Sequence, residues 1–362
     1  MMMKKLSAIA LCCIALTASA IAQTTTNTAQ GDARYAADFL SIPLGARALG
    51  MGGQYTPIDQ YDGAAFFWNP SALALIKGKY ISTMYSNQFG SLGRPLSNYF
   101  HIGYAQDLGN GVGVSANWIR NSIANIPLTD DPRLFGTSGE FLRLIQQGLL
   151  DNGGATFSNN DDALFLSIAK NVINAVDFGW QYFRIPIEIP IGITFKYISQ
   201  SFGGDSRVNF SGTGVGVDVG AMIKFKFGDF VARPIFGDLA LGINIRDVFN
   251  TPVSWNTDSR ARASIPRATF LSASYKQPLE FLSSSLIFAI TRDTRYDGIT
   301  SIGLEYRFRQ LFALRVGSFD RELTLGAGLF LFRAVFIDYA YQSSPLGAPH
   351  RIGLTVNLAE WL

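Results

Sequence analysis

The stretch Gly214-Val215-Gly216-Val217-Asp218-Val219-Gly220-Ala221-Met222-Ile223-Lys224-Phe225-Lys226-Phe227 sorts its side chains into two sets. Val215, Val217, Val219, Ala221, Ile223, Phe225 and Phe227 fall on one face; Gly214, Gly216, Asp218, Gly220, Met222, Lys224 and Lys226 fall on the other. A period of two is that of a β-strand, whose successive side chains point to opposite sides. The run is also longer than an ordinary strand of about five or six residues. A length of about ten residues or more matches a strand that crosses a bilayer at a tilt, one face toward lipid and the other toward a lumen.

The same alternation recurs along the chain. Ile302, Leu304, Tyr306 and Phe308 alternate with Ser301, Gly303, Glu305, Arg307 and Arg309, and Ile352, Leu354, Val356 and Leu358 with Arg351, Gly353, Thr355 and Asn357. Such segments lie near 79–89, 98–108, 111–121, 161–170, 187–200, 213–228, 236–247, 266–277, 283–293, 299–309, 311–319, 322–332, 334–343 and 349–359. The expected fold is therefore all-β, a transmembrane antiparallel barrel of about fourteen strands, an even number as in bacterial single-chain barrels. Connections after odd strands include long ones, at about 90–97, 122–160, 201–212 and 248–265, whereas those at Gly109-Asn110-Gly111, Gln310 and Arg333 are tight. Long external loops and short periplasmic turns are the asymmetry such barrels have. The stretch 171–186 departs from the pattern, and Pro186 and Pro190 offer no ladder donor to the wall near the fifth strand.

Composition agrees. Hydrophobic residues make up 48% and charged residues 16%, against about 25% charged in a soluble domain. Yet no uninterrupted apolar run beyond Ala22 is long enough for a membrane helix, so the apolar residues are dispersed as strands disperse them. At the N-terminus, Lys4 and Lys5 precede an apolar run from Leu6 to Leu16, and Ala20-Ile21-Ala22 precedes Gln23. This reads as a signal peptide cleaved near Ala22. Cys12 and Cys13 leave with it, which removes disulfides and thiolate metal sites from the expected mature chain. Lys4 and Lys5 leave too, so 28 basic residues face 27 acidic ones, and no basic patch argues for nucleic acid. The expected organisation is a signal peptide over 1–22, an N-terminal periplasmic or plug-like segment over 23–78, and an outer-membrane barrel over 79–362.

Within the longest connection, Phe141, Leu144, Ile145 and Leu149 are spaced for one apolar face of a helix over Glu140–Leu150, ended by Asp151-Asn152-Gly153-Gly154. That face either folds back into the barrel mouth or meets a partner. Asp218, Lys224, Lys226, Arg246, Glu305, Arg307, Arg315 and Asp338 fall on polar faces, and their mixed signs predict pairing across the interior rather than a single-sign porin ring.

Between signal and barrel lie Gly45-Ala46-Arg47-Ala48-Leu49-Gly50-Met51-Gly52-Gly53 and Trp68-Asn69-Pro70-Ser71-Ala72. The glycines Gly45, Gly50, Gly52 and Gly53 allow close backbone approach, Arg47 suits carboxylates or carbonyls in a polar lumen, and Asn69 before Pro70 initiates a turn. Together with Trp68 they describe a compact plug. The pair of blocks, within 37–74, resembles the PorV/PorQ family of outer-membrane proteins, which is related to the FadL-type fatty-acid transporters. The resemblance implies a FadL-like fourteen-stranded barrel with the preceding segment tucked inside.

Two functions follow from it. PorV-like proteins imply a role in type IX protein secretion, binding C-terminal signals of cargo or docking on a large translocon barrel. Here Trp255 and the apolar face of 140–150 offer anchors of the kind interfaces use. The alternative is FadL-like uptake of a hydrophobic small molecule. Either way the partners include the lipid of the Gram-negative outer membrane. An enzyme is not expected: the two histidines, His101 and His350, join no Ser-His-Asp order, nucleophile elbow or H-E-x-x-H. No cofactor is expected, nor a metal, since Asp151, Asn159, Asn160, Asp161 and Asp162 lack EF-hand spacing and read as a solvated loop.

Overall fold

A computed structural model describes residues 36–53, 63–91, 94–127, 156–172, 176–177, 184–206, 208–233, 235–257, 262–294, 298–332, 334–344 and 347–360. Its dominant feature is a closed antiparallel barrel of 14 strands. In chain order these are β1 (Lys79–Ser91), β2 (Arg94–Gly109), β3 (Val112–Pro127), β4 (Thr156–Asn171), β5 (Pro190–Asp205), β6 (Val208–Lys226), β7 (Asp238–Arg246), β8 (Ala268–Leu279), β9 (Ser284–Asp293), β10 (Ile299–Phe308), β11 (Phe312–Phe319), β12 (Glu322–Leu331), β13 (Val335–Gln342) and β14 (His350–Asn357). Each pairs with its successor, and β1 closes on β14 from Tyr80 opposite Asn357 to Asn87 opposite His350. All 14 coincide with the alternating segments of the sequence.

The faces follow the alternation because one face meets lipid and the other the packed interior. Val215, Val219 and Ile223 are exposed on β6 while Gly214, Gly216, Asp218 and Met222 are buried; on β10, Ile302 and Leu304 are exposed while Ser301, Gly303, Glu305 and Arg307 are buried. No described helix is long and apolar enough to cross a membrane.

The wall is unequal in height. The strands β2 to β5 run 16 residues and β6 runs 19, whereas β11, β13 and β14 run 8. Three expected loops are strand instead. The residues near 90–97 and 201–212 continue the β1–β2 and β5–β6 pairings, with Gly90 opposite Pro95 and Phe202 opposite Phe210. The connection 248–265 contains a hairpin, Thr251–Trp255 with Arg262–Ile265, whose first strand pairs with β6 at Gly212–Gly214. Asn159, Asn160, Asp161 and Asp162 likewise lie inside β4 rather than in a solvated loop. The predicted helix over 140–150 lies outside the described residues.

Two further placements bear on the sequence reading. Pro190 is the first residue of β5, the ordinary position for a strand proline, and does not interrupt the wall. The interruption lies instead between β7 and the hairpin. There Asp247 and Asn250 take positive φ, and Val248 N–H and Asp247 N–H bridge to Val217 O and Asp218 Oδ1. Lys226 ends β6 exposed, and Lys224 reaches Glu188 at 3.3 Å near that same end, so neither belongs to the interior charge set.

Candidate functional site

Residues 36–53 and 63–75 lie against inward-facing groups of strands all round the barrel. It folds into short turns: a 3-10 turn at Asp38–Ser41, one helical turn at Ala46–Gly50, another at Ala65–Trp68, and a 3-10 helix at Pro70–Leu75. Phe39, Leu44, Ala48, Phe66, Trp68 and Leu73 bury themselves among inward residues of the wall such as Tyr99, Ile119, Phe165, Ile198 and Met222. Burying a large apolar side chain contributes about 1.5–3 kcal/mol, so this cluster sets the position of the segment.

The glycine-rich block docks on β10 to β12. Gly52 has φ +82, and a side chain there would meet the Ile302 carbonyl oxygen at 2.5 Å and that of Ser318 at 2.7 Å. Its N–H donates to Thr324 Oγ1 at 3.0 Å. Gly50 sits so close to the inward Gly326 that a Cβ on either would lie 2.9 Å from the other's Cα. Gly45, at φ +90, precedes the helical turn with its N–H directed at Met84 Sδ. Gly53, at φ +66, abuts the Phe319 ring.

Arg47 points from this turn to Glu305. Nε lies 3.0 Å from Oε2, and Nη2 lies 3.2 Å from Oε1. Glu305 is fully buried and also meets Arg307 at 2.7 Å and Arg315 at 2.6 Å; Arg315 lies 2.7 Å from Asp338. Three guanidinium groups share two carboxylates, so every charge has an opposite neighbour despite burial. Across the lumen, Lys196 stands between Asp218 at 2.7 Å and Asp247 at 2.8 Å.

The second block docks on the opposite arc. Asn69 caps the 3-10 helix in the usual way, with Pro70 at the first helical position: its Oδ1 accepts from Ser71 N–H at 3.1 Å and Ser71 Oγ at 2.7 Å. Its Nδ2 donates to Ala221 O on β6 and Ile243 O on β7, at 3.2 and 3.3 Å. Trp68 Nε1 donates to Leu44 O at 2.8 Å, tying the two blocks together. The wall answers with Asn244 Nδ2 to Trp68 O at 2.7 Å and Arg246 Nη2 to Phe67 O at 2.6 Å. Arg246 lies over the rings of Phe67 at 4.0 Å and Phe270 at 4.4 Å.

A small cavity of about 60 Å³ remains where the segment meets the wall, lined by Phe67, Trp68, Arg246, Phe270 and Phe319 among others. A larger concavity lies elsewhere, a furrow of about 620 Å³ on the outer face lined by Ile102, Tyr104, Trp118, Leu164, Phe195 and Tyr197. Those side chains face hydrocarbon, and lipid chains suffice to fill such a furrow.

Gly45, Arg47, Gly50, Gly52, Gly53, Trp68, Asn69 and Pro70 thus all contact the wall or one another inside the barrel. Trp255 does not stand free: it stacks on Phe202 at 5.8 Å and packs over Gly212. Phe141, Leu144, Ile145 and Leu149 lie outside the described residues. Sequence reasoning did not find Phe66, whose ring stacks on His101 at 5.7 Å, nor Phe67. An apolar triplet beside a Trp-Asn-Pro turn carries no sign of which aromatic meets which strand.

No protein-family model and no curated protein matches the chain. Among solved structures, the P. putida toluene transporter TodX superposes with a TM-score of 0.53 at 11% identity, covering 87% of this chain and 98% of that one. The Ralstonia pickettii toluene transporter TbuX gives 0.48 at 13%, covering 86% and 97%. The likeness to TodX shows a shared barrel fold.

Proposed function

We propose that the protein carries a hydrophobic small molecule across the outer membrane, with the segment 36–75 as the plug that the molecule must pass. The observation that carries this reading is the aromatic cavity at the seam between segment and wall, inside a barrel that shares its fold with a toluene transporter. Its rings supply apolar surface, and Arg246 with Asp293 and Ser301 supplies polar groups at the margin.

The cavity is too small for a ligand at rest. An engineered apolar cavity of about 150 Å³ accepts benzene, and this one is about 60 Å³. Passage therefore requires the Phe67 ring or the segment to shift. The contacts that such a shift must break at this seam include Trp68 Nε1 to Leu44 O, and Arg246 and Asn244 to the backbone of Phe67 and Trp68.

Secretion has no comparable support. Of the residues proposed as partner anchors, Trp255 is packed into the wall, and the others lie outside the described residues. Equilibrium binding of radiolabelled toluene and of a long-chain fatty acid to the detergent-purified protein tests the proposal. Saturable binding of either, weakened at least tenfold by Trp68→Ala or Phe270→Ala, is expected. Absence of binding to both probes, with a giant barrel co-purifying from native membranes, would overturn it in favour of secretion.

A further inference from the structure

At the end of the barrel where Lys79 opens β1 and Asn357 closes β14, four consecutive connections each hold out a large apolar side chain. These are Ile235 between β6 and β7, Phe281 between β8 and β9, Leu311 between β10 and β11, and Phe332 between β12 and β13. Phe332 and Phe281, 90% and 85% exposed, are the most exposed large apolar side chains among the described residues. This is the end with the short turns, which faces the periplasm in barrels of this kind. At the other end of the same strands the turns are polar: Asp320-Arg321 between β11 and β12, and Ser343-Ser344 after β13.

Turn chemistry does not account for the phenylalanines. Phe332 takes φ +51, a conformation that glycine or asparagine adopts more readily than a bulky side chain. Phe281 lies in the middle of a single 3-10 turn, Glu280–Leu282, that buries none of its residues. Rings held clear of the protein in this way gain only if something apolar covers them from outside.

The short half of the wall supplies a reason. Outward on β11 stand Phe312, Leu314 and Val316, and then Ser318. At about 3.3 Å per residue and a tilt of about 40°, those three apolar residues cover about 10 Å of height. The apolar band of an outer-membrane barrel is about 25 Å tall. With 8 residues each, β11 and β13 are also shorter than the usual membrane-crossing strand. Asp320-Arg321 cannot make up the deficit at one end, so it falls to the turns at the other. There Leu311 continues the band beside the rings of Phe308 and Phe312, which lie 5.3 Å apart. Arg309, an exposed residue, lies over Phe308 at 5.1 Å, as a cation does that rests its stem on apolar surface and reaches for headgroups.

We propose that Ile235, Phe281, Leu311 and Phe332 form a lipid-anchoring rim, seated among the phospholipids of the inner leaflet. The inference rests on the outer-membrane location taken in the proposed function. Successive connections stand two strands apart, about 10 Å, so the four make a row of separate side chains. A protein partner is met by aromatic anchors clustered at one packed centre, whereas a fluid lipid layer receives single side chains anywhere along a row. The rim fixes the depth of β10 to β12, the strands on which the glycine-rich block docks.

Nitroxide labels on single cysteines test this, in a chain that begins at Gln23 and so has no native cysteine. The labelled variants Phe281→Cys, Phe332→Cys, Leu304→Cys and Asn110→Cys are refolded into vesicles of phosphatidylethanolamine and phosphatidylglycerol, and folding is checked by gel mobility. Leu304 marks the middle of the outer face, and Asn110 an exposed turn at the same end of the barrel as the rim. The accessibility ratio of apolar oxygen to a water-soluble nickel chelate is expected to be several-fold higher at 281 and 332 than at 110, and highest at 304. Two rim positions are read so that one suffices should the other variant fail to fold. Ratios at 281 and 332 as low as at 110, with 304 still high, overturn the rim and leave the membrane location standing; the row then faces water and suits a periplasmic protein. A low ratio at 304 as well overturns the membrane location and the rim together.

Discussion

Arg47 and Glu305 are 258 residues apart in the chain and form a two-point ion pair, one from the N-terminal segment and the other from the tenth strand. The pair is not symmetric in its consequences. Glu305 also serves Arg307 and Arg315, so it is the shared anion of three cations, whereas Arg47 is one cation of three.

Glu305→Gln should therefore be more damaging than Arg47→Met. Removing one member of a buried ionic group costs about 3–5 kcal/mol when charge is left uncompensated. The glutamine leaves three guanidinium groups with Asp338 alone. After Arg47→Met, Glu305 still has two arginines, and the methionine retains most of the buried volume. The midpoint temperature at which the folded barrel loses its fast mobility on denaturing gels should fall further for Glu305→Gln. The reverse order would mean that the network is organised around Arg47.

The barrel was legible in the sequence because its physical cause is local. Lipid on one side and a packed interior on the other impose a period of two on every strand, and Val215 to Phe225 or Ser301 to Phe308 display it without reference to any other part of the chain. The height of the wall was not legible, since residues 90–97 and 201–212 are polar enough to resemble loops and become strand only by pairing within their own hairpins, β1 with β2 and β5 with β6. The interior was half legible. Arg47, Glu305 and Arg315 could each be assigned to a polar environment, but their pairing depends on the barrel's register and on where the N-terminal segment turns. Asn159-Asn160-Asp161-Asp162 has the composition of a turn, and the ladder from β3 to β5 overrides that propensity.

Gly52→Ala should loosen the N-terminal segment without unfolding the wall. The substitution combines a positive φ, which costs a non-glycine residue about 1–3 kcal/mol, with a Cβ 2.5 Å from the Ile302 carbonyl oxygen. Gly203→Ala is the control, since a Cβ there meets nothing within 4 Å. Limited proteolysis of the folded barrel should cut the segment 36–75 faster in Gly52→Ala and at the wild-type rate in Gly203→Ala. Equal rates in both would show that backbone contact at Gly52 does not hold the segment in place.

Charges placed on the outer face should show the depth profile of a bilayer. Leu304 is exposed in the middle of β10, and Val172 is exposed just past the last residue of β4. An arginine costs about 2–4 kcal/mol at the midplane of a barrel's lipid face and about 0–1 near an interface. Denaturant titrations of the protein refolded into vesicles should place Leu304→Arg well below Val172→Arg in stability. Similar losses for the two would argue that this face does not meet hydrocarbon at the depth the register assigns.

Asn69 joins a local role to a long-range one, and substitution can separate them. Its oxygen caps the Pro70–Leu75 helix, while its nitrogen bridges the backbones of β6 and β7. Asn69→Asp keeps an oxygen at the cap, where aspartate ranks with asparagine, but loses both donated bonds and turns a second anionic oxygen toward the carbonyls of Ala221 and Ile243. Asn69→Ala loses the cap as well, yet buries no charge. Losing a neutral hydrogen bond costs about 0.5–1.5 kcal/mol net, whereas an unpaired buried charge costs considerably more. Asn69→Asp should thus be the less stable of the two at neutral pH, by gel-shift midpoint, and should recover toward Asn69→Ala as the pH is lowered and the carboxyl takes up a proton. If Asn69→Ala is the less stable at every pH, the cap outweighs the bridge and this end of the segment is held by its own helix rather than by the wall.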